Sequence, residues 1–217
     1  MRKIAIYGGS FDPPHKGHKL LAENLAKSCG AERVLIIPTA MSPFKNSSGA
    51  TSFQRYEMCT LAFSDSLFEV SDIEINRGGK SYTIDTVNAV KALYPESELY
   101  LFMGDDMFLS FNKWYKYEEI LQKCTLVAAC RTRNLEELDN MKSFARDVLN
   151  SREGKVIFCE SVPVEISSTT IRQNVRNNCF EYIDDDVAEY IKANAKEHDM
   201  VITMGAGDIY KVKELLI

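Results

Sequence analysis

The chain has 217 residues, 45% apolar and 26% charged, and 26 basic residues against 31 acidic ones give a net charge of −5. At roughly 100–200 residues per domain this is one large domain or one and a half small ones, long enough to bury about 70% of its unfolded surface without staples. The apolar content excludes dominant disorder, no run approaches the roughly 18 uncharged apolar residues of a membrane span, and no clustered basic face marks a polynucleotide binder.

Lys3–Tyr7 reads as a first strand, its apolar run being too short for a signal peptide. A helix follows at about 17–28, a strand at Arg33–Pro38, a helix at 52–64 that Thr51 and Gln54 open as a capping box, and a strand at Phe68–Ile75. The last alternates more than the others, through Glu69, Asp72 and Glu74, and is expected near an edge. Further on come a helix at 83–93, a strand at Leu99–Met103, a broken helix at 106–122, a strand at Thr125–Cys130 and a helix at 135–149. Strand Val156–Glu160 and helices at 169–177 and 184–195 complete the series. Near-continuous apolar strands alternating with helices predict an α/β, doubly wound, mostly parallel sheet covered on both faces.

Residues 1–197 are expected to form one domain and 198–217 a tail of open role, in which a strand, the Gly205-Ala206-Gly207 turn and a short helix read as one more βα unit. A lone Gly-x-Gly is a weak phosphate signal. The six cysteines, at 29, 59, 124, 130, 159 and 179, form no CxxC pair, so reduced thiols and a cytoplasmic location are expected.

The chemistry concentrates after the first strand, in Gly8-Gly9-Ser10-Phe11-Asp12-Pro13-Pro14-His15-Lys16-Gly17-His18. In an open α/β sheet ligands bind beyond the carboxyl ends of the strands, where this loop must lie. Gly8 and Gly9 allow close backbone approach to a phosphate, and a helix starting near Gly17 presents its free N–H groups to the same place. His15 and His18, one turn apart, are placed to donate to phosphate oxygens, and their spacing does not match the HExxH zinc pair.

This segment resembles the HxGH signature of the nucleotidyltransferase superfamily, and further segments resemble the bacterial nicotinate-nucleotide adenylyltransferase family. Pro38-x4-Pro43-Phe44-Lys45 is similar to its proline-flanked loop, with Phe44 where the family has histidine. Arg55 with Met58, the stretch from Asp72 through Arg77, Gly79 and Ser81-Tyr82-Thr83 to Thr86, Gly104-Asp105-Asp106 with Trp114, and Ile166 to Arg172 match in order. The resemblance covers roughly residues 3–195 and implies a Rossmann-like nucleotidyltransferase fold. It implies ATP and nicotinate mononucleotide as substrates, with Mg2+ carried on the phosphates and no nucleic acid polymer or membrane as partner. Self-association stays open.

By the same resemblance His15, His18, Arg172 and Lys45 are the catalytic candidates. Gly8, Gly9, Ser10, Phe11, Ser168 and Thr169 join both histidines and Arg172 around ATP, and Lys45, Tyr82, Thr83, Asp106, Trp114 and Tyr115 surround the acceptor. Ser168 and Thr169 also read as an ordinary helix cap, Trp114 as core among Phe108, Phe111, Tyr115 and Tyr117, and Asp105 as a solvent-facing or capping residue. Trp114 is expected to stack on a pyridine ring, and Asp106 to accept ribose hydroxyls. The backbone N–H groups of Ser81-Tyr82-Thr83 and of the Trp114-Tyr115 segment are expected to hold a carboxylate. Alternative acceptors are nicotinamide mononucleotide or phosphopantetheine, and a nucleotide-sensing protein without turnover is the rival of another class. The tail at Met200–Ile217 resembles the carboxyl-terminal end of a UDP-N-acetylmuramate–alanine ligase.

Overall fold

The computed structural model describes residues 1–41, 49–130, 135–150, 154–160, 166–173 and 179–194. Six strands form one sheet: β1 (Lys3–Gly9), β2 (Arg33–Pro38), β3 (Phe68–Val70), β4 (Glu98–Met103), β5 (Cys124–Cys130) and β6 (Val156–Glu160). Their order is β3-β2-β1-β4-β5-β6, and all five strand pairings are parallel. The chain therefore winds outward in two directions from β1, and the carboxyl ends of β1 and β4 flank the switch point at which such sheets bind nucleotides.

Alternate residues of each central strand face opposite layers. Ala5, Tyr7, Val34, Ile36, Tyr100, Phe102, Val127 and Ala129 join the core on one side of the sheet. Ile4, Ile6, Leu35, Ile37, Leu99, Leu101, Leu126 and Ala128 join the core on the other. Period-2 geometry with both faces covered explains why these strands read as unbroken apolar runs. Helices α1 (Lys16–Cys29), α2 (Ser52–Ala62) and α9 (Asp185–Asn194) supply the first layer through Leu25, Met58 and Val187. Helices α4 (Thr83–Leu93), α6 (Tyr117–Lys123) and α7 (Leu135–Ser143) supply the second through Val87, Ile120 and Met141. The Thr51–Gln54 capping box opens α2 as the sequence predicts.

Two elements differ from expectation. The strand over Phe68–Ile75 stops at Val70, because β3 is an edge strand pairing with only Val34–Ile36 of β2. Ile73–Arg77 is instead a short helix, α3, ended by Gly78 at φ 69°. Helix formation turns Glu74 inward, where its Oε1 accepts from Thr86 Oγ1 at 2.6 Å; a continuing strand would have left that carboxylate on an edge. The broken helix at 106–122 resolves into α5 (Asp105–Leu109), a 3-10 turn at Phe111–Lys113, and α6. Helix α7 continues as a π-helical turn through Phe144–Val148, so the chain is helical from 135 to 148, one residue short of the predicted 135–149. The predicted helix at 169–177 is seen as α8 (Ser168–Gln173); its last residues, the final residue of the predicted 184–195 helix and the tail 198–217 lie outside the described residues.

Cys29, Cys59, Cys124, Cys130 and Cys159 are free thiols, all buried. No helix among the described residues is long and apolar enough to cross a membrane.

Candidate active site

The loop leaving β1 is held by packing and by hydrogen bonds to its backbone. Phe11 takes φ 49°, a left-handed conformation rare for a bulky side chain. Its ring explains why this holds: it packs edge-on against Tyr7, His18 and Phe63 at centroid distances of 5.5, 5.1 and 5.8 Å. Phe11 is therefore core, and any contact it makes with a nucleotide is through its backbone. Gly9 is required by the same ring, since a Cβ there would lie 3.0 Å from Phe11 Cζ. Thr39 N–H donates to the Gly9 carbonyl at 2.9 Å and Arg55 Nη1 to the Ser10 carbonyl at 2.7 Å. With these oxygens engaged, the loop sets no free carbonyl of Gly9 or Ser10 against an anion.

The two histidines open α1. Their rings stack at 3.6 Å between centroids and 31° between planes. The His15 backbone N–H donates to His18 Nδ1 at 3.2 Å, so Nδ1 carries no proton and the neutral imidazole bears its hydrogen on Nε2. Burial lowers the His15 pKa to about 4. Burial, and then the neighbouring His15, hold His18 well below the ordinary imidazole range. Both rings are thus neutral at neutral pH, and two stacked cations at this distance would repel strongly. Gly17 makes the arrangement possible: a Cβ at this position would sit 3.0 Å from His15 Nδ1 and 3.3 Å from Ile166 Cγ2.

Helix α8 docks on the same loop. Ser168 Oγ donates to the Pro13 carbonyl at 2.9 Å, and Arg172 Nη1 donates to the Asp12 carbonyl. Arg172 Nη1 also lies 3.9 Å from the Asp12 carboxylate, and Nη2 donates to Thr169 Oγ1 at 3.3 Å. Its buried Nε has no hydrogen-bond partner among the described residues. The hydroxyl that caps α8 belongs to Ser167, which accepts from Thr170 N–H at 3.0 Å, rather than to Ser168 or Thr169. Those two side chains instead brace the loop and the arginine.

On the acceptor side, Tyr82 and Tyr115 meet at 5.0 Å between ring centroids. Trp114 is partly buried, packed 5.2 Å from Phe111 and against the second core. Two expected backbone donors are already engaged: Ser81 N–H donates to Met41 O at 2.9 Å and Tyr82 N–H to Lys80 O at 3.2 Å. Trp114 N–H is likewise bonded, to Phe111 O at 3.0 Å. The donors that α4 presents are the N–H groups of Thr83 and Ile84 in its first turn, which have no acceptor within the helix. Asp106 is exposed in the first turn of α5, just beyond β4, whereas Asp105 is buried at 7% exposure in that same turn, so of its two expected roles the solvent-facing one does not hold. Lys45 and Phe44 lie outside the described residues.

A cytidylyltransferase-like family profile matches residues 6–174. The chain is 33% identical over 198 residues to the nicotinate-nucleotide adenylyltransferase of Bacillus subtilis (strain 168), covering 89% of this chain and 97% of that one. It is 35% identical over 205 residues to a protein of Dehalococcoides mccartyi (strain CBDB1) named a probable nicotinate-nucleotide adenylyltransferase, covering 91% and 96%. This chain belongs to the nicotinate-nucleotide adenylyltransferase family. Its fold is also that of the Plasmodium falciparum nicotinic acid mononucleotide adenylyltransferase solved with NaAD, at a TM-score of 0.67, 18% identity and coverage of 88% of this chain and 95% of that chain. The chain is accordingly a nucleotidyltransferase, and the residues gathered at the switch point form its candidate active site.

Two residues that the sequence marks only as parts of motifs turn out to hold the site together. Asp12 takes the Ala50 N–H on its carboxylate at 3.2 Å while its own carbonyl accepts from Arg172. Arg55 is buried and donates to backbone carbonyls of three segments. The signal for Arg55 was available: with Met58, Cys59 and Ala62 it completes the i, i+3, i+4, i+7 stripe that α2 buries.

Proposed function

We propose that the chain transfers the adenylyl group of ATP to nicotinate mononucleotide, giving nicotinate adenine dinucleotide and pyrophosphate. A 5′-phosphate oxygen of the mononucleotide attacks the α-phosphorus in line. The new P–O bond forms as the bond to the bridging oxygen breaks, and the electron pair leaves with pyrophosphate. No proton transfer and no covalent protein intermediate are required, so catalysis reduces to positioning and charge stabilisation.

The observation that carries this reading is the His15–His18 pair. A backbone N–H fixes the His18 tautomer, leaving Nε2–H as a preset donor at the carboxyl end of the central strand. A neutral, desolvated imidazole donates without first shedding water, and it gains affinity for a proton as phosphate charge arrives. Arg172, anchored on the same loop with Nε–H still unmatched among the described residues, supplies a fixed cation. Lys45 is assigned the remaining phosphate contact on the strength of the motif.

Mg2+ belongs to this reaction as part of the MgATP substrate. The ion would be held mostly by phosphate oxygens and water, as Mg2+ with a nucleotide substrate commonly is. The ion's charge would help neutralise the triphosphate. On the acceptor side, Trp114 stacks on the pyridine ring, Asp106 accepts ribose hydroxyls, and the first-turn N–H groups of α4 receive the nicotinate carboxylate.

The test is a pyrophosphate-release assay with ATP, Mg2+ and nicotinate mononucleotide, with identification of the dinucleotide. Turnover is expected. ATP binding without turnover would instead mark a sensor, and turnover confined to nicotinamide mononucleotide or phosphopantetheine would move the acceptor assignment.

A further inference from the structure

The strongest feature outside the phosphate-contacting groups is the guanidinium of Arg55. Its Nη1 donates to the carbonyl of Ser10, in the loop after β1, at 2.7 Å. Its Nη2 donates to Thr39, just after β2, at 2.5 Å, and its Nε to Ala50, just before α2, at 3.3 Å. One buried side chain thus joins three segments that share no covalent neighbour. Burial weighs against its charge, and the carboxylates of Asp12 and Glu74 oppose that cost from either side.

The connection continues. Ala40 N–H, in the segment that Arg55 holds, donates to Ser81 Oγ at 3.0 Å, and Ser81 N–H donates to Met41 O at 2.9 Å. On the far side of that turn, Thr86 is held by Glu74 at 2.6 Å and by Arg77 Nη2 at 3.2 Å. An unbroken run of hydrogen bonds leads from the loop that precedes the histidines to the turn that opens α4.

We propose that Arg55 is a positioning residue for the transfer step, fastening the nucleotide loop to the segment that fixes the acceptor turn so that the two phosphates lie in line. The proposal rests on the adenylyl-transfer reading above. Its energetic logic is that of approximation: misplacing two reactants by about 1 Å costs on the order of 10²-fold in rate even when each still binds. Lysine keeps the charge but offers a point donor that cannot span three carbonyls, so Arg55→Lys removes the geometry and leaves the cation.

The experiment uses the full chain. Calorimetry measures binding of MgATP alone and of nicotinate mononucleotide alone, and steady-state assays measure kcat and each KM, for the parent, Arg55→Lys, Ser81→Ala and the double variant. We expect Arg55→Lys to hold both separate affinities within about threefold while kcat falls about 30-fold or more. Ser81→Ala should show the same split at about fivefold, and the double variant should lose little more than Arg55→Lys, since both cut one chain of contacts. A Lys variant within about threefold of parental kcat overturns the proposal, as do separate affinities that fall in step with kcat, which would make Arg55 a simple structural brace. If Arg55→Lys fails to unfold cooperatively, Ser81→Ala decides alone: parental kcat overturns the proposal and the split upholds it. A parent that makes no dinucleotide removes the substrate assignment and this proposal together, whereas an active parent with an equally active Lys variant removes only the role of Arg55.

Discussion

The corner proposed to hold the nucleotide and the corner proposed to hold the acceptor are built in opposite ways. At the first, His15 is 6% exposed, stacked on His18 and hemmed by Gly17, and Arg172 is moored to the Asp12 backbone. At the second, Tyr115 is 56% exposed, Asp106 lies at the surface, and the groups on offer are first-turn amides and aromatic faces. The first corner spends folding energy on desolvating titratable groups, which preorganises donors for charge that grows in the transition state. The second is more exposed and offers few donors, which would suit selection among acceptors rather than acceleration. Substitutions at the nucleotide corner should therefore act on kcat, and changes at the acceptor corner on the choice of substrate.

The largest expected effect follows from the fixed tautomer of His18. His18→Ala should reduce kcat by about 10²–10³-fold, or roughly 3–4 kcal/mol, with KM for ATP changed far less. Its ring packs on Phe11, so a modest loss of thermal stability is expected as well, and rates must be compared on folded protein. Near-parental turnover in the folded variant would contradict the comparison at its stronger end.

Next comes the acceptor corner. A nicotinate carboxylate only accepts hydrogen bonds, whereas an amide must also place two N–H donors. With Ser81, Tyr82 and Trp114 N–H already bonded, the proposed α4 turn would meet the acid with Thr83 and Ile84 N–H, helped by the positive end of the helix dipole. An amide would face donor against donor, at about 1–3 kcal/mol for the unpaired group plus the lost charge-assisted bonds. The preference for nicotinate over nicotinamide mononucleotide should reach at least ~10²-fold in kcat/KM. Measuring both acceptors at saturating MgATP checks this, and equal efficiencies would refute a donor-only pocket.

How much of this could be read from the chain alone follows the same division. The strands and the histidine loop were legible because a parallel sheet demands unbroken apolar runs and because Gly-Gly, prolines and paired histidines cluster in eleven residues, Gly8 to His18. The α3 helix was not, since Asp72-Ile73-Glu74-Ile75 alternates like an edge strand and its true state depends on a distant partner, Thr86. The roles of Asp105 and Asp106 could not be told apart by spacing, because burial of adjacent carboxylates is decided by which side of a one-turn helix meets the core. Which amides of the 81–83 turn are spent was equally hidden, because Met41 lies forty residues away in sequence from Ser81. Arg55 shows the reverse failure: in the sequence it stands only as half of an Arg-x-x-Met match, although the stripe it completes with Met58, Cys59 and Ala62 marks the buried face of α2.

Gly17→Ala tests the tightness of the nucleotide corner by about one methyl group. Alanine gains roughly 1 kcal/mol of helix propensity over glycine in a helix interior, and less in a first turn. The new Cβ, however, would lie 3.0 Å from His15 Nδ1 and 3.1 Å from Cε1, tight enough that the ring must give by a few tenths of an ångström. Stability should change little as the two effects offset, while kcat falls about tenfold through the displaced donor. A parental kcat would show that the His15 ring has slack.

The smallest effect expected is on stability against pH, and it isolates the cost of desolvating the pair. Burial lowers the His15 pKa to about 4 from an ordinary value near 6.5. Between these values the unfolded chain binds a proton that the folded one refuses, so stability rises with pH across that interval. The contribution is therefore complete above about pH 6.5, is lost progressively as the pH falls toward 4, and changes no further below it. His18, shifted the same way, adds to the slope. In His15→Gln the decline between pH 6.5 and pH 4 should be shallower than in the parent, yet still present because His18 remains. Chemical denaturation at intervals across this range measures it. Identical slopes for parent and variant would mean that His15 titrates in the folded protein as it does in water, and that the nucleotide corner is as wet as the acceptor corner.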